Sequence, residues 1–161
     1  MRTNRLPPAR KAAALFAGDF LALLVWEVFA RFRTPLVVGG PLEPAALIIG
    51  LTNTLFGFGP PRLLAEAIHY ATGTVFYPLG FWMLSRTISI NTLVDGLAWG
   101  VITFLLALGV FATMAGLPFM LGCIPLTWMS GIAHVIYGVL AVALYELLGR
   151  RAFAGRTAVT A

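Results

Sequence analysis

Four apolar runs, each long enough to cross a bilayer, constrain this chain more than any motif in it. They cover residues 12–30, 63–84, 92–115 and 126–148. A spanning helix takes ~20 apolar residues to cross ~30 Å of hydrocarbon. Inside lipid, a helix satisfies its own backbone polar groups, which an open segment cannot do. Basic residues close the runs: Arg31 and Arg33 after the first, Arg86 after the second, Arg150 and Arg151 after the fourth. Apolar residues make up 60% of the 161 and charged residues 11%, with a mean hydropathy of +0.91. Soluble domains hold ~45–50% and ~25%. A water-soluble fold is therefore excluded, and so is disorder, which needs low hydrophobicity and high charge. The expectation is an all-α integral membrane protein, a four-helix bundle forming one transmembrane domain over 1–161.

Charge sets the expected topology. With four spans, the N-terminal tail, the 85–91 loop and the C-terminal tail share one side. They hold Arg2, Arg5, Arg10, Lys11, Arg86, Arg150, Arg151 and Arg156, eight of the eleven basic residues. The positive-inside bias makes that side cytoplasmic. The stretch 44–58 is apolar but short for a span. A fifth span there would send most of the later arginines outward, so it is read as a re-entrant or interfacial helix in the first outer loop. The basic start followed by an apolar run resembles a signal peptide, but Asp19 and Glu27 within the run argue against one. The net charge of +5 belongs to helix ends beside anionic headgroups, and no soluble module offers a nucleic-acid face. Cys123 is the single cysteine, which excludes an internal disulfide and a thiolate cluster.

The halves 12–84 and 92–148 resemble each other. Gly57, Pro60, His69 and Gly73 match Gly122, Pro125, His134 and Gly138, both as G-x-x-P-x8-H-x3-G. Asp19, Leu21, Ala22 and Val25 match Asp95, Leu97, Ala98 and Val101. Two hairpins of the same orientation, related by a pseudo-two-fold axis along the membrane normal, would produce this pattern.

Ionisable groups within a span cost ~2.5–3.5 kcal/mol at mid-depth, so they face the bundle and find partners. Three readings compete for His69 and His134. They hydrogen-bond across close helix contacts; or they are the axial ligands of a b-type haem, with Gly73 and Gly138 making room for the macrocycle; or, with Glu66, they hold a metal ion or relay protons. Asp19 and Asp95 form a second symmetric pair, either hydrated near the cytoplasmic interface or used for a cation. Glu27 is expected to pair with Arg31 at i+4 near the outer interface. Trp26, Trp82, Trp99 and Trp128 read as an interfacial aromatic belt, and Pro78 as a kink. No Walker loop, HExxH, GxSxG or CxxC is present, and no nucleophile stands beside a base. No catalytic residue and no dedicated metal set is therefore assigned.

The segment from His69 to Phe76, read as HYxxGxxF, together with Leu93–Gly100, Gly116-Leu117-Pro118 and His134-Val135-Ile136-Tyr137-Gly138, resembles a bacterial inner-membrane family of unknown function. Its members are small four-helix proteins pairing a HYxxG helix with a final HxxxG helix. The likeness covers most of 60–148 and implies four spans in the cytoplasmic membrane, without an activity. The leading functional expectation is a non-enzymatic accessory or assembly subunit, packing within a larger membrane complex or as a homo-oligomer in the lipid bilayer. The alternatives are a haem b electron-transfer subunit using His69 and His134, and a small transporter or channel using Asp19 and Asp95.

Overall fold

The computed structural model describes residues 9–87 and 89–157, and no strand occurs among them. Helix α1 covers 9–38, comprising Ala9–Val28, a π turn Phe29–Arg33 and Thr34–Val38. Helix α2 is Pro44–Phe56. Helix α3 covers 62–84, comprising Arg62–Ala71, a π turn Thr72–Phe76 and Tyr77–Leu84. Helix α4 covers 92–114 with a π turn at Leu105–Phe111, and a short turn Phe119–Cys123 leads into α5, Pro125–Thr157.

The segments Lys11–Val38, Thr92–Met114 and Pro125–Gly149 are long and apolar enough to cross a membrane. Helix α3, ~35 Å long at ~1.5 Å per residue, is not in that set. Arg62, Glu66 and His69 fall in its first turns and dilute its hydropathy. The second expected run is thus a long helix with a polar entrance. α1 also continues to Val38, past the expected end at 30, carrying Arg31 and Arg33 inside a helix. The 44–58 stretch forms a 13-residue helix ending at Gly57, whose φ of 74° closes it in the left-handed region.

Two of the π turns have a common cause. Pro35 and Pro78 each stand two residues beyond one. Proline lacks an N–H and crowds the carbonyl four residues back. A wider i→i+5 turn absorbs the misfit. Accordingly Thr34 N–H bonds to Phe29 O, and Tyr77 N–H to Thr72 O. Pro78 thus produces a widened turn in α3.

α5 packs along both α1 and α4. Small residues bring the backbones together. A Cβ on Gly100 would meet His134 O at 2.6 Å, and one on Gly96 would meet Val139 Cα at 2.7 Å. A Cβ on Gly18 would meet Tyr145 N at 3.0 Å. α3 stands differently. Its Gly73 faces the Leu23 side chain and its Gly80 faces the Trp99 ring, so side chains keep it off its neighbours. Trp26 and Trp99, each 5% exposed, lie in the core and not in an interfacial belt. Gly80 explains part of this, because its missing side chain leaves room for the Trp99 indole. Trp82, half-buried with the Arg86 guanidinium 3.8 Å above its ring, and the exposed Trp128 are not moved out of the belt by these contacts.

Candidate functional site

Polar residues inside the bundle gather on facing sides of α1, α3 and α5. Glu27, 5% exposed, accepts from His69 Nε2 at 2.7 Å through Oε1 and from Arg31 Nε at 2.5 Å through Oε2. Arg31 Nη2 reaches Glu66 at 2.9 Å. Arg62 lies 3.7 Å from the other Glu66 oxygen and donates to Glu43 at 2.6 Å. The chain His69–Glu27–Arg31–Glu66–Arg62–Glu43 therefore ties α1 and α3 to the start of α2. Charge-assisted hydrogen bonds of this kind are about twice as strong as neutral ones. The i+4 geometry placed Arg31 beside Glu27. The partner of His69 is Glu27, from another helix, while Glu66 turns to the arginines.

The two histidines flank one aromatic ring, and it is the protein's own. Trp26 lies 5.3 Å from His69 and 5.6 Å from His134, centroid to centroid. A macrocycle held between these histidines would have to displace Trp26 and free His69 from Glu27. Gly73 and Gly138 make room for Leu23 and for the α4 backbone. His134 is buried, and its Nδ1 lies 2.8 Å from the Ser130 carbonyl. A carbonyl only accepts, so Nδ1 carries the hydrogen and a neutral ring keeps its lone pair on Nε2. Ser130 Oγ is 3.3 Å from that same Nδ1, which is already protonated and cannot serve it as a base. Among the described residues, no group of three His, Cys, Asp or Glu is placed to hold a metal ion.

The aspartates part company. Asp95 sits in the first turn of α4, where it accepts from Ser89 Oγ at 3.1 Å and Ile90 N at 2.9 Å beside the Asn91 cap. That is a helix-start role. Asp19 is 1% exposed and deep in α1, and Tyr137 Oη lies 2.7 Å from its Oδ1. The same hydroxyl is 3.0 Å from Gly73 O. The structure does not bring the two aspartates together.

A cleft of about 840 Å³ opens between α3, α4 and α5, with α2 along one side. Its walls are mostly apolar, with Leu47, Phe76, Leu108 and Phe111 among them. His69, Ser130, His134 and Tyr137 supply polar points, and Trp26 adds its ring. Trp26 Nε1 is buried without a hydrogen-bond partner among the described residues. Such orphans are rare in folded proteins and call for a reason. Sequence reading missed Trp26, Ser130 and Tyr137. Tyr137 had a signal, since it lies one turn from His134 on the same helix.

No protein-family model, no curated protein and no solved structure matches the chain.

Proposed function

We propose that the chain is a non-enzymatic membrane protein that holds an apolar molecule with a small hydrogen-bonding head in the cleft beside α2. The observation that carries this is the cleft itself. Its volume of about 840 Å³ lies within the ~300–1,000 Å³ of small-molecule sites, and its lining has their character, apolar walls with a few placed polar groups. His134 Nε2 accepts a hydrogen bond from a hydroxyl head, and the Trp26 N–H meets an oxygen. A fatty or prenyl alcohol has both features and arrives by partition into the bilayer.

In this reading α1, α3, α4 and α5 span a bacterial cytoplasmic membrane, with both termini inside and α2 at the outer interface. The duplicated-hairpin reading draws support from Gly57 and Gly122. Both are left-handed, at φ 74° and 69°, at equivalent places before a helix. The resemblance to small four-helix proteins with HYxxG and HxxxG helices fits as well, because both motif histidines stand beside Trp26 at the cleft wall. The chain acts as an accessory subunit that stores or presents the molecule. The glycines that could have met a partner helix are occupied within the chain, Gly96 and Gly100 by α5 and Gly138 by α4, which moves the weight of the reading to the cleft.

The test is photolabelling of the detergent-purified protein with a diazirine-bearing fatty alcohol. The label is expected on α2–α5 peptides lining the cleft, and competed by unlabelled alcohol. Ala107→Trp fills the cleft from α4 and is expected to abolish labelling while the helical spectrum is kept. Uncompeted labelling spread over lipid-facing residues would overturn the reading. So would a Soret band in protein from a haem-replete host, which would return His69 and His134 to the role of haem ligands.

A further inference from the structure

A second feature of the bundle is independent of any cleft ligand. It begins at Pro78. In the widened turn of α3, backbone bonds run from residue i+5, as Tyr77 N–H to Thr72 O shows. The next carbonyl, Gly73 O, would then take the N–H of residue 78. That residue is proline and has none. The vacant acceptor is met by another helix: Tyr137 Oη of α5 lies 3.0 Å away.

The same hydroxyl lies 2.7 Å from Asp19 Oδ1. A phenol has one proton to give. Gly73 O can only accept, and so can an ionised carboxylate. With Asp19 ionised, one of the two buried acceptors is left without a donor. With Asp19 protonated, every position is filled: Asp19 donates to Tyr137 Oη, and Tyr137 donates to Gly73 O. Buried polar groups are satisfied as a rule, and inside a bilayer the rule is stricter.

The surroundings favour the neutral acid. The titratable groups shown nearest Asp19 on the helices packed against it are phenols, Tyr137 on α5, whose hydroxyl bonds it, and Tyr77 on α3, whose ring is 6.1 Å from Tyr137; Glu146 also lies on α5, more than two turns beyond Tyr137. His134, one turn before Tyr137, is turned to Ser130. Glu27, two turns on along α1, is bound to His69 and Arg31. Among the described residues Asp19 has no ion pair.

We propose that Asp19 is a proton-binding site, held as a carboxylic acid that donates to Tyr137, and that its proton locks α3 through the Gly73 carbonyl. Removing the proton turns the Tyr137 hydroxyl toward Asp19 and strips Gly73 O of its donor. α3 then loses a tie to α5 at its widened turn. Because Tyr137 and Gly73 both line the cleft, the proton sets how firmly one cleft wall is held.

Infrared spectroscopy of the ligand-free protein tests this directly. The native protein at neutral pH is expected to show the carbonyl stretch of a protonated carboxylic acid, shifted in D2O. Asp19→Asn is expected to lose that band yet stay folded, since the amide N–H takes over the donation to Tyr137. The chain has two aspartates, Asp19 and Asp95. 13C-carboxyl-labelled aspartate therefore gives two signals in the native chain, one expected at the acid position and one at the carboxylate position. This measurement needs no variant. On raising the pH, hydrogen exchange at Tyr77, corrected for intrinsic base catalysis, is expected to quicken in the native protein and not in Asp19→Asn. The proposal is overturned if both aspartate signals are carboxylates at neutral pH, if the acid band survives in Asp19→Asn, or if the two proteins exchange alike. None of these readings depends on photolabelling of the cleft, so the two ideas fail separately.

Discussion

The two sides of this bundle are built on opposite plans. Where α4 meets α5, glycine faces glycine and the backbones touch. Where α3 meets the rest, side chains, ion pairs and one shared hydroxyl hold it at a distance. The first plan leaves no free volume, and the second leaves a cleft. The comparison teaches where a small helical membrane protein keeps a cleft open: next to the helix whose spacing is set by polar contacts. It also explains the polar entrance of α3. Arg62, Glu66 and His69 lower its hydropathy, yet they are the groups that moor it to α1 and α2.

The comparison is broken most severely at the glycine seam. Gly100→Val sets two methyl groups where even a Cβ would lie 2.6 Å from the His134 carbonyl. Overpacking a core costs ~1–3 kcal/mol or more where side chains can yield, and here backbone would have to yield. The expected outcome is loss of the folded protein, read as aggregation on size-exclusion chromatography. Gly73→Ala on the looser side meets only the end of Leu23, a flexible side chain 2.9 Å away. It is expected to stay folded. Equal damage from the two substitutions would erase the distinction between the seams.

Next in size is Glu27→Ala. It leaves His69 and Arg31 without their shared acceptor, and hydrogen bonds to charged groups are worth ~1.5–3 kcal/mol. Arg31 is 41% exposed and recovers part of this from water. The loss expected is about 2 kcal/mol, read as a lowered unfolding midpoint in denaturant titration. His69→Ala should cost less, because Arg31 keeps Glu27 satisfied. If His69→Ala were the more damaging, the histidine would hold something besides Glu27.

Much of the seam was legible in the sequence and little of the cleft was. Gly96-x-x-x-Gly100 and Gly138 announce close helix contact by their spacing alone. The i+4 interval gives Glu27–Arg31. The long runs give the helices, though proline moves their limits, as the π turns before Pro35 and Pro78 show. The cleft wall was not legible, because Trp26, His69 and His134 come from three helices, and no local pattern records which helix faces which. The aspartates make the same point. They sit in matching local motifs, yet one stands in the first turn of a helix bonded to the loop before it and the other is buried against Tyr137 of another helix, so the surroundings of each come from outside the motif.

Trp26→Phe has a smaller expected effect on stability and a sharper one on binding. It keeps the ring between the two histidines and removes an N–H that has no partner among the described residues. Deleting an unsatisfied buried donor costs little, and stability should change by less than about 1 kcal/mol. If the N–H meets the head of the cleft ligand, labelling by the fatty alcohol should weaken. Unchanged labelling would leave His134 as the head's contact and free the indole from that role.

The smallest effect on stability is expected at Arg62, and it tests whether the loose side is also a doorway. The guanidinium is 61% exposed and bridges Glu43, just before α2, to Glu66 on α3. Exposed pairs contribute ~0–1 kcal/mol, so Arg62→Gln should barely shift the unfolding midpoint. Its effect should lie in rate. Glu43 lines the cleft, and freeing it loosens the α2 end that borders the opening. Photolabelling is then expected to reach its plateau sooner, with the plateau itself unchanged. High salt should speed labelling of the native protein and leave Arg62→Gln unaffected, because screening weakens an exposed ion pair that the variant lacks. Equal rates in both proteins at every salt concentration would show that the α2 end does not control access to the cleft.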